Sequence, residues 1–151
     1  ELGCNKIALG HHFNDVIETT VMSMFYGSQM QAMLPKLHST NFAGMELIRP
    51  LYCIHEEDIL AWKQYNDLEF IQCACRFTEN CTMCDNGAAK LAGASDFQIL
   101  LRHLRRDNPN IERSIFNSIH SVNLDMMPGY KTGGVLHSFL DDYDERGKKS
   151  E

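Results

Sequence analysis

Three groups of residues have the types and spacing to do chemistry. The first is the string Gly10-His11-His12-Phe13-Asn14-Asp15-Val16-Ile17-Glu18-Thr19. An imidazole at His12 and a carboxylate at Asp15, brought together, can shuttle a proton or hold a metal-bound phosphate. The same string also has a purely structural reading, because Asp15-x-x-Glu18 fits a helix capping box. The second group is Cys73-x-Cys75-x5-Cys81-x2-Cys84. Four thiolates at such short spacing can surround a tetrahedral zinc ion or ligate an iron–sulfur cluster, and spacing does not separate the two. The third is Arg102-His103-x-Arg105-Arg106, with Arg113 and His120 further on. With Arg76 and Lys90 these cations could meet phosphates. Alternatively they form the solvated face of a helix whose other side is Leu100, Leu101 and Leu104.

The elements that must position these groups are legible. Lys6–Gly10 reads as a short buried parallel strand. Phe13, Ile17, Val21 and Met24 recur at helical spacing until Gly27 stops the pattern. Strand, loop and helix in that order make the unit of an α/β sheet, whose ligands bind at the carboxyl ends of the strands. A helix N-terminus there favours anions. Lys36–Thr40 and Met45–Arg49 predict a hairpin around Asn41-Phe42-Ala43-Gly44. A helix opens at His55-Glu56-Glu57-Asp58 with acids in its first turn. Ile59, Trp62 and Asn66 mark one side of it, and Asn66-Asp67 ends it. Leu68–Cys73 reads as another strand, and 73–87 as a loop. One helix then carries Phe97, Leu100, Leu101 and Leu104 up to Asp107-Asn108-Pro109. Another carries Ile111, Ile115, Ile119 and Val122. Met22, Met24, Met30 and Met33 read as core filling, and Cys4 and Cys53 as small buried hydrophobes.

Composition sets the frame. The chain has 151 residues, of which 44% are hydrophobic and 23% charged, and it carries a net charge of −6. This suits one globular domain and excludes a disordered or collagen-like chain. Charge is uneven: −5 over residues 1–71, +1 over 72–124 and −2 over 125–151. Nucleic-acid contact must therefore come from a local patch or from a part of the protein outside this sequence. No apolar run reaches the roughly 18 residues a membrane span needs, so no membrane partner is expected. No signal peptide is read at Glu1-Leu2-Gly3-Cys4-Asn5-Lys6, so a reducing, cytoplasmic setting is expected, where clustered cysteines favour metal over disulfides. The absence of an initiator Met leads to the expectation of a longer parent protein.

Residues Glu1 to Thr19 resemble the central segment of the PP-loop ATP pyrophosphatase superfamily. Met24-Phe25-Tyr26-Gly27, Met33-Leu34-Pro35-Lys36-Leu37 and Ile48-Arg49-Pro50-Leu51 are similar to the tRNA 2-thiocytidine synthetase branch, a relative of tRNA-Ile lysidine synthetase. Asn110-Ile111-Glu112-Arg113-Ser114-Ile115-Phe116 and Val122 continue the likeness, which covers about residues 1–126. The resemblance implies an α/β fold: the C-terminal part of a parallel-sheet, Rossmann-like PP-loop ATPase over 1–72. A cysteine-rich loop and C-terminal helices follow over 73–126, and a poorly ordered tail over 127–151. It implies ATP and Mg2+ as cofactors, adenylation of a tRNA cytidine oxygen, and its replacement by sulfur carried on a 4Fe-4S cluster. It implies tRNA, a sulfur donor such as a cysteine desulfurase, and a homodimer as partners.

Carried over by residue, the resemblance makes Asp15 and His12 catalytic. Gly10, His11, Asn14 and Arg49 become nucleotide-binding, and Arg102, Arg105, Arg106 and Arg113 tRNA-binding. Asn14 departs from the family, where Asp is usual. Counting from the strand at Phe70-Ile71 makes Cys73 the cluster ligand. The Cys-x-x-Cys spacing and the helices after it favour Cys81, with Cys84 as its partner. On that preferred count Gln72–Asn80 is an insertion, and Cys73 and Cys75 are extra ligands or sulfur acceptors. The family's Ser-Gly-Gly-x-Asp-Ser phosphate loop and its upstream Cys-x-x-Cys do not occur in this sequence. The chain alone is therefore expected to be inactive. Two alternatives stay open: a non-catalytic zinc-binding nucleic-acid module, and the same chemistry on another tRNA base or a sulfur-carrier substrate.

Overall fold

The structure, a computed structural model, describes residues 3–69 and 94–146. Within the chain, residues 1–116 and 117–151 form two compact units. The expected strand Leu68–Cys73 lies largely outside the described residues. The cysteine loop, with Cys73, Cys75, Cys81 and Cys84, lies wholly outside them.

The first unit opens with β1 (Lys6–Ala8), followed by α1 (Phe13–Gly27). The hairpin strands β2 (Lys36–His38) and β3 (Glu46–Ile48) come next. β3 is central: β1 pairs with it in parallel and β2 antiparallel. The register puts Ile7 and Leu37 opposite Leu47, so one face of the sheet is apolar. Gly44, at φ +77°, closes the hairpin in a conformation that favours glycine. The α/β class is thus present, with an antiparallel hairpin strand beside the parallel pair. β1 itself is less buried than its apolar composition suggests. Ile7 and Leu9 are half-buried and their neighbours exposed, because β1 is an edge strand and successive side chains alternate between the two faces of the sheet.

The other face of the sheet carries charge. Glu46 is held by Lys6 and, at 2.8 Å, by Lys36. Hydrogen bonds from Lys36 and then Lys6 pull its carboxyl down to about 2.

α1 supplies most of the core. Phe13, Ile17 and Val21 pack with Leu101 of α3 (Ala94–Asp107), at helical spacing. Leu100 of α3 and Ile115 and Phe116 of α4 (Ile111–His120) close over this cluster. Thr20 is fully buried on the same helix and satisfies its hydroxyl on the Val16 carbonyl at 2.7 Å. α2 (Glu56–Tyr65) is peripheral, with no fully buried residue. Its half-buried positions are Ile59 and Lys63, four apart, so Trp62 faces outward and is 57% exposed.

Several expectations need correction. Met22 and Met33 are half-buried, but Met24 and Met30 are exposed: they lie at the last turn of α1 and in the loop after it. Cys4 and Cys53 are both exposed, because each falls in a connecting segment and not in a buried strand. Leu104 is also exposed, since the inner stripe of α3 runs from Leu101 to Arg105 at i, i+4. Val122 lies past the end of α4 and is exposed.

The second unit replaces much of the expected tail with regular structure. A 3-10 turn (Leu124–Met126) precedes β4 (Gly129–Thr132) and β5 (Val135–Ser138), and a short α5 (Tyr143–Arg146) follows. β4 and β5 pair antiparallel with Thr132 opposite Val135. The two residues between them, Gly133 and Gly134, have φ of +56° and +83°. Two successive positive φ values define the primed turn that matches strand twist, and glycine adopts them without strain.

Candidate active site

The carboxyl ends of β1 and β3 lie side by side: Leu9 N–H donates to the Ile48 carbonyl at 2.9 Å. Gly10, His11 and His12 therefore leave the sheet beside Arg49, the residue after β3. His12 is extended (φ −120°, ψ −178°) and caps α1. Its backbone N–H donates to Asp15 Oδ2 at 2.8 Å, and its Nε2 lies 3.5 Å from the same oxygen. Asp15 thus sits at the third helical position and returns to its own cap. The capping box expected at Asp15-x-x-Glu18 is corrected to the register His12-x-x-Asp15, because the helix starts at Phe13, two residues ahead of Asp15.

A second helix N-terminus joins this corner. Phe13 N–H, the first of α1, donates to the Ile54 carbonyl at 3.0 Å. Glu56 N–H, the first of α2, donates to Asn14 Oδ1 at 3.0 Å. Each helix thereby satisfies a leading N–H on the other's segment. The rings of Phe13 and His55 add a contact with centroids 4.1 Å apart.

The Nδ1 atoms of His11 and His12 and the Nε of Arg49 are buried without a hydrogen-bond partner among the described residues. Leaving such groups unpaired costs stability, so their concentration at one corner marks it as built for something else. A Cβ on Gly10 would meet nothing within 4 Å. Packing therefore does not demand glycine there, and the backbone stands open to a ligand.

Beside the corner runs a cleft of about 660 Å³ between α1 and the loop before β2. Met22, Met33 and Leu37 supply apolar wall, Gln31 and Ala32 its rim, and Arg49 its charge. Three hydrogen bonds fix the loop. Tyr52 Oη donates to the Met33 carbonyl at 3.1 Å, Arg49 Nη1 to the Leu34 carbonyl, and Arg49 N–H to the Pro35 carbonyl at 2.9 Å. Burial pushes the Tyr52 phenol up, which keeps it a neutral donor. No spacing or motif marks Tyr52, Gln31 or Ala32 as site residues. Their only sequence signal is that two family-like strings, Met33–Leu37 and Ile48–Leu51, flank the cleft.

The basic residues divide. Arg102, Arg106 and Arg113 are exposed. Arg105 is held by Glu112 and, at 2.8 Å, by Glu57, and the bonds to those carboxylates raise its pKa further. Among the described residues no three His, Cys, Asp or Glu converge to hold a metal ion, and no helix is long and apolar enough to cross a membrane.

Residues 1–77 match the PP-loop domain family, just over half of the chain. This chain belongs to the PP-loop family. Its similar curated proteins include the tRNA-cytidine(32) 2-sulfurtransferase of Paracidovorax citrulli (strain AAC00-1), 34% identical over 139 residues. That alignment covers 92% of this chain and 40% of the relative. The protein of the same name from Delftia acidovorans (strain DSM 14801 / SPH-1) is 36% identical over 84% of this chain and 37% of its own length. The one from Geobacter metallireducens (strain ATCC 53774 / DSM 7210 / GS-15) is 31% identical over 80% and 43%. The PP-loop chain spans about two fifths of the length of the curated relatives it matches.

Proposed function

We propose that this PP-loop chain works within an ATP-dependent tRNA sulfurtransferase. In that reaction a cytidine oxygen attacks the α-phosphorus of ATP and pyrophosphate leaves. A sulfur nucleophile then displaces AMP, which departs with the oxygen. The similarity to proteins named tRNA-cytidine(32) 2-sulfurtransferase across 80–92% of the chain carries this reading. The corner of His12, Asp15 and Arg49 supports it. Two converging helix N-termini suit a phosphate, and the open backbone at Gly10 and the His11 imidazole lie beside them. In this reading Asp15 orients His12, which moves a proton at the reacting base. Asn14 keeps the two N-termini together.

Asp15, about one-third exposed at its side chain, would be the protein ligand of an ATP-bound Mg2+, with phosphate oxygens completing the shell. That ion would neutralise charge on the leaving pyrophosphate. Cys81, with Cys84 as its partner, is proposed to ligate a 4Fe-4S cluster that carries the sulfur. Cys73 and Cys75 are proposed as extra thiols. Arg102, Arg106 and Arg113 are proposed to meet tRNA phosphates, while Arg105 holds the helices. A sulfur donor such as a cysteine desulfurase, a homodimer and a cytoplasmic setting complete the reading.

The test is a hybrid enzyme. The aligned stretch of the Paracidovorax citrulli relative is replaced by this chain and expressed in a strain lacking its own enzyme. The reading expects 2-thiocytidine in bulk tRNA. A hybrid that accumulates as soluble protein but leaves tRNA without 2-thiocytidine, while the unaltered relative restores it, overturns the reading.

A further inference from the structure

The cleft beside the corner is a formed site to which the reading above assigns no ligand. It is walled by apolar and thioether groups, Met22, Met33 and Leu37, against one guanidinium, that of Arg49. Its volume of about 660 Å³ falls within the roughly 300–1,000 Å³ usual for small-molecule sites. Its loop wall is held by the three hydrogen bonds from Tyr52 and Arg49 to the carbonyls of Met33, Leu34 and Pro35. A wall fixed in this way loses little freedom when something binds.

We infer that this cleft receives an extruded pyrimidine base of the RNA substrate, with Arg49 donating to its oxygen-bearing edge. The inference rests on the proposed function and names the place where that substrate enters. The aliphatic and thioether walls can pack against the apolar face of a base, and the guanidinium of Arg49 offers a planar group beside it. Arg49 lines the cleft and Nη1 donates to the Leu34 carbonyl, one of the five N–H donors of a guanidinium. The guanidinium therefore keeps donor capacity for an acceptor such as a pyrimidine O2.

One observation favours a base in a chain over the base of free ATP. Exposed Met30, next to the lining residue Gln31, and the largely exposed Leu34 of the lining give apolar surface at the edge of the cleft, where neighbouring nucleotides of a loop would lie. The cleft also begins at Thr19, six residues along α1 from Phe13 and so about 9 Å from the helix N-terminus. Arg49 stands between the two. A phosphate at the helix end and a base in the cleft would thus approach each other at Arg49.

The test uses the purified 151-residue chain and a fluorescent anticodon stem-loop RNA. Its loop carries cytidine, a purine or an abasic site at one position. The chain is expected to bind the cytidine RNA at least fivefold more tightly than the abasic or purine versions. Gln31→Trp and Ala32→Phe fill the rim from loop positions outside the core and are expected to abolish that preference with unchanged melting. If only one variant folds, that one decides. Equal affinity for all three RNAs overturns the inference, as does no binding of any. Unchanged preference in the folded variants overturns it too. So does loss of ATP affinity in place of base preference, which would make the cleft a nucleotide site. The thiolation reading fails separately, through the absence of 2-thiocytidine from the hybrid enzyme.

Discussion

The side-chain oxygen of Asn14, in the first turn of α1, accepts the leading backbone N–H of α2, at Glu56, over 3.0 Å. With Phe13 N–H on the Ile54 carbonyl, this makes the two helix N-termini one unit. Asn14 thus has a structural role, holding the start of α2 against the first turn of α1. Asn14→Ala should cost about 1 kcal/mol, the usual loss for a helix-end acceptor. Asn14→Asp keeps an acceptor there and should retain most of that stability. Urea unfolding of the two variants checks this, and equal losses would show that the bond contributes nothing.

Arg105 links three elements through Glu112 and Glu57. The Glu112 side chain is 13% exposed and that of Glu57 is 76% exposed. Surface pairs are worth roughly 0–1 kcal/mol, so the first pair should lie near the top of that range and the second near zero. A double-mutant cycle with Arg105→Ala, Glu112→Gln and Glu57→Gln measures both. The larger coupling at Glu57 would contradict the burial argument.

Glu46 gives a pH signature. Its ordinary carboxyl value of 4.5 falls to about 2 in the folded chain, chiefly through hydrogen bonds from Lys36 and Lys6. The unfolded chain therefore takes up this proton first as pH drops. The stabilisation is complete above about 4.5 and is lost between there and about 2. Glu46→Gln should be less stable than the parent at pH 7, and the gap should close across that window. Unfolding midpoints at pH 7, 4 and 2 test it, and a gap that widens on acidification would refute it.

The cysteine assignment makes its own forecast. In the hybrid enzyme, purified without oxygen, Cys81→Ser should remove both the absorbance near about 400 nm expected of cysteine-ligated iron–sulfur and the thiolation. Cys73→Ser should spare the absorbance. The reverse pattern would move the ligand to Cys73, and no change in either variant would take this loop out of the active site.

Much of the first unit could be read from the chain. The step from Lys6 to Gly27, the hairpin around Gly44 and the two helices separated by Pro109 follow from period and punctuation. What misled was local register. Asp15-x-x-Glu18 satisfies the capping pattern, yet His12 caps, since the Ile54 carbonyl takes the Phe13 N–H and fixes the helix start from outside. Arg105 reads as part of a basic face because its neighbours are basic, but it stands one turn after buried Leu101. The hairpin of the second unit is hard to read although Gly133-Gly134 is a strong turn signal, because its strands are four residues long, mostly exposed and without a regular apolar–polar alternation. The cleft is the least legible feature. Its residues come from α1, a loop, β2 and the end of β3, and only folding brings them together.

The central claim, that Asp15 serves tRNA thiolation as well as capping, is tested most directly by one number: 2-thiocytidine per tRNA, by mass spectrometry, in cells carrying the hybrid enzyme or its Asp15→Asn variant. Asn retains an acceptor for the His12 N–H but cannot carry charge for Mg2+. The account predicts normal accumulation and melting of the variant with thiocytidine reduced at least a hundredfold. Thiocytidine at the parent's level in the Asp15→Asn cells would contradict it and leave Asp15 a helix cap alone.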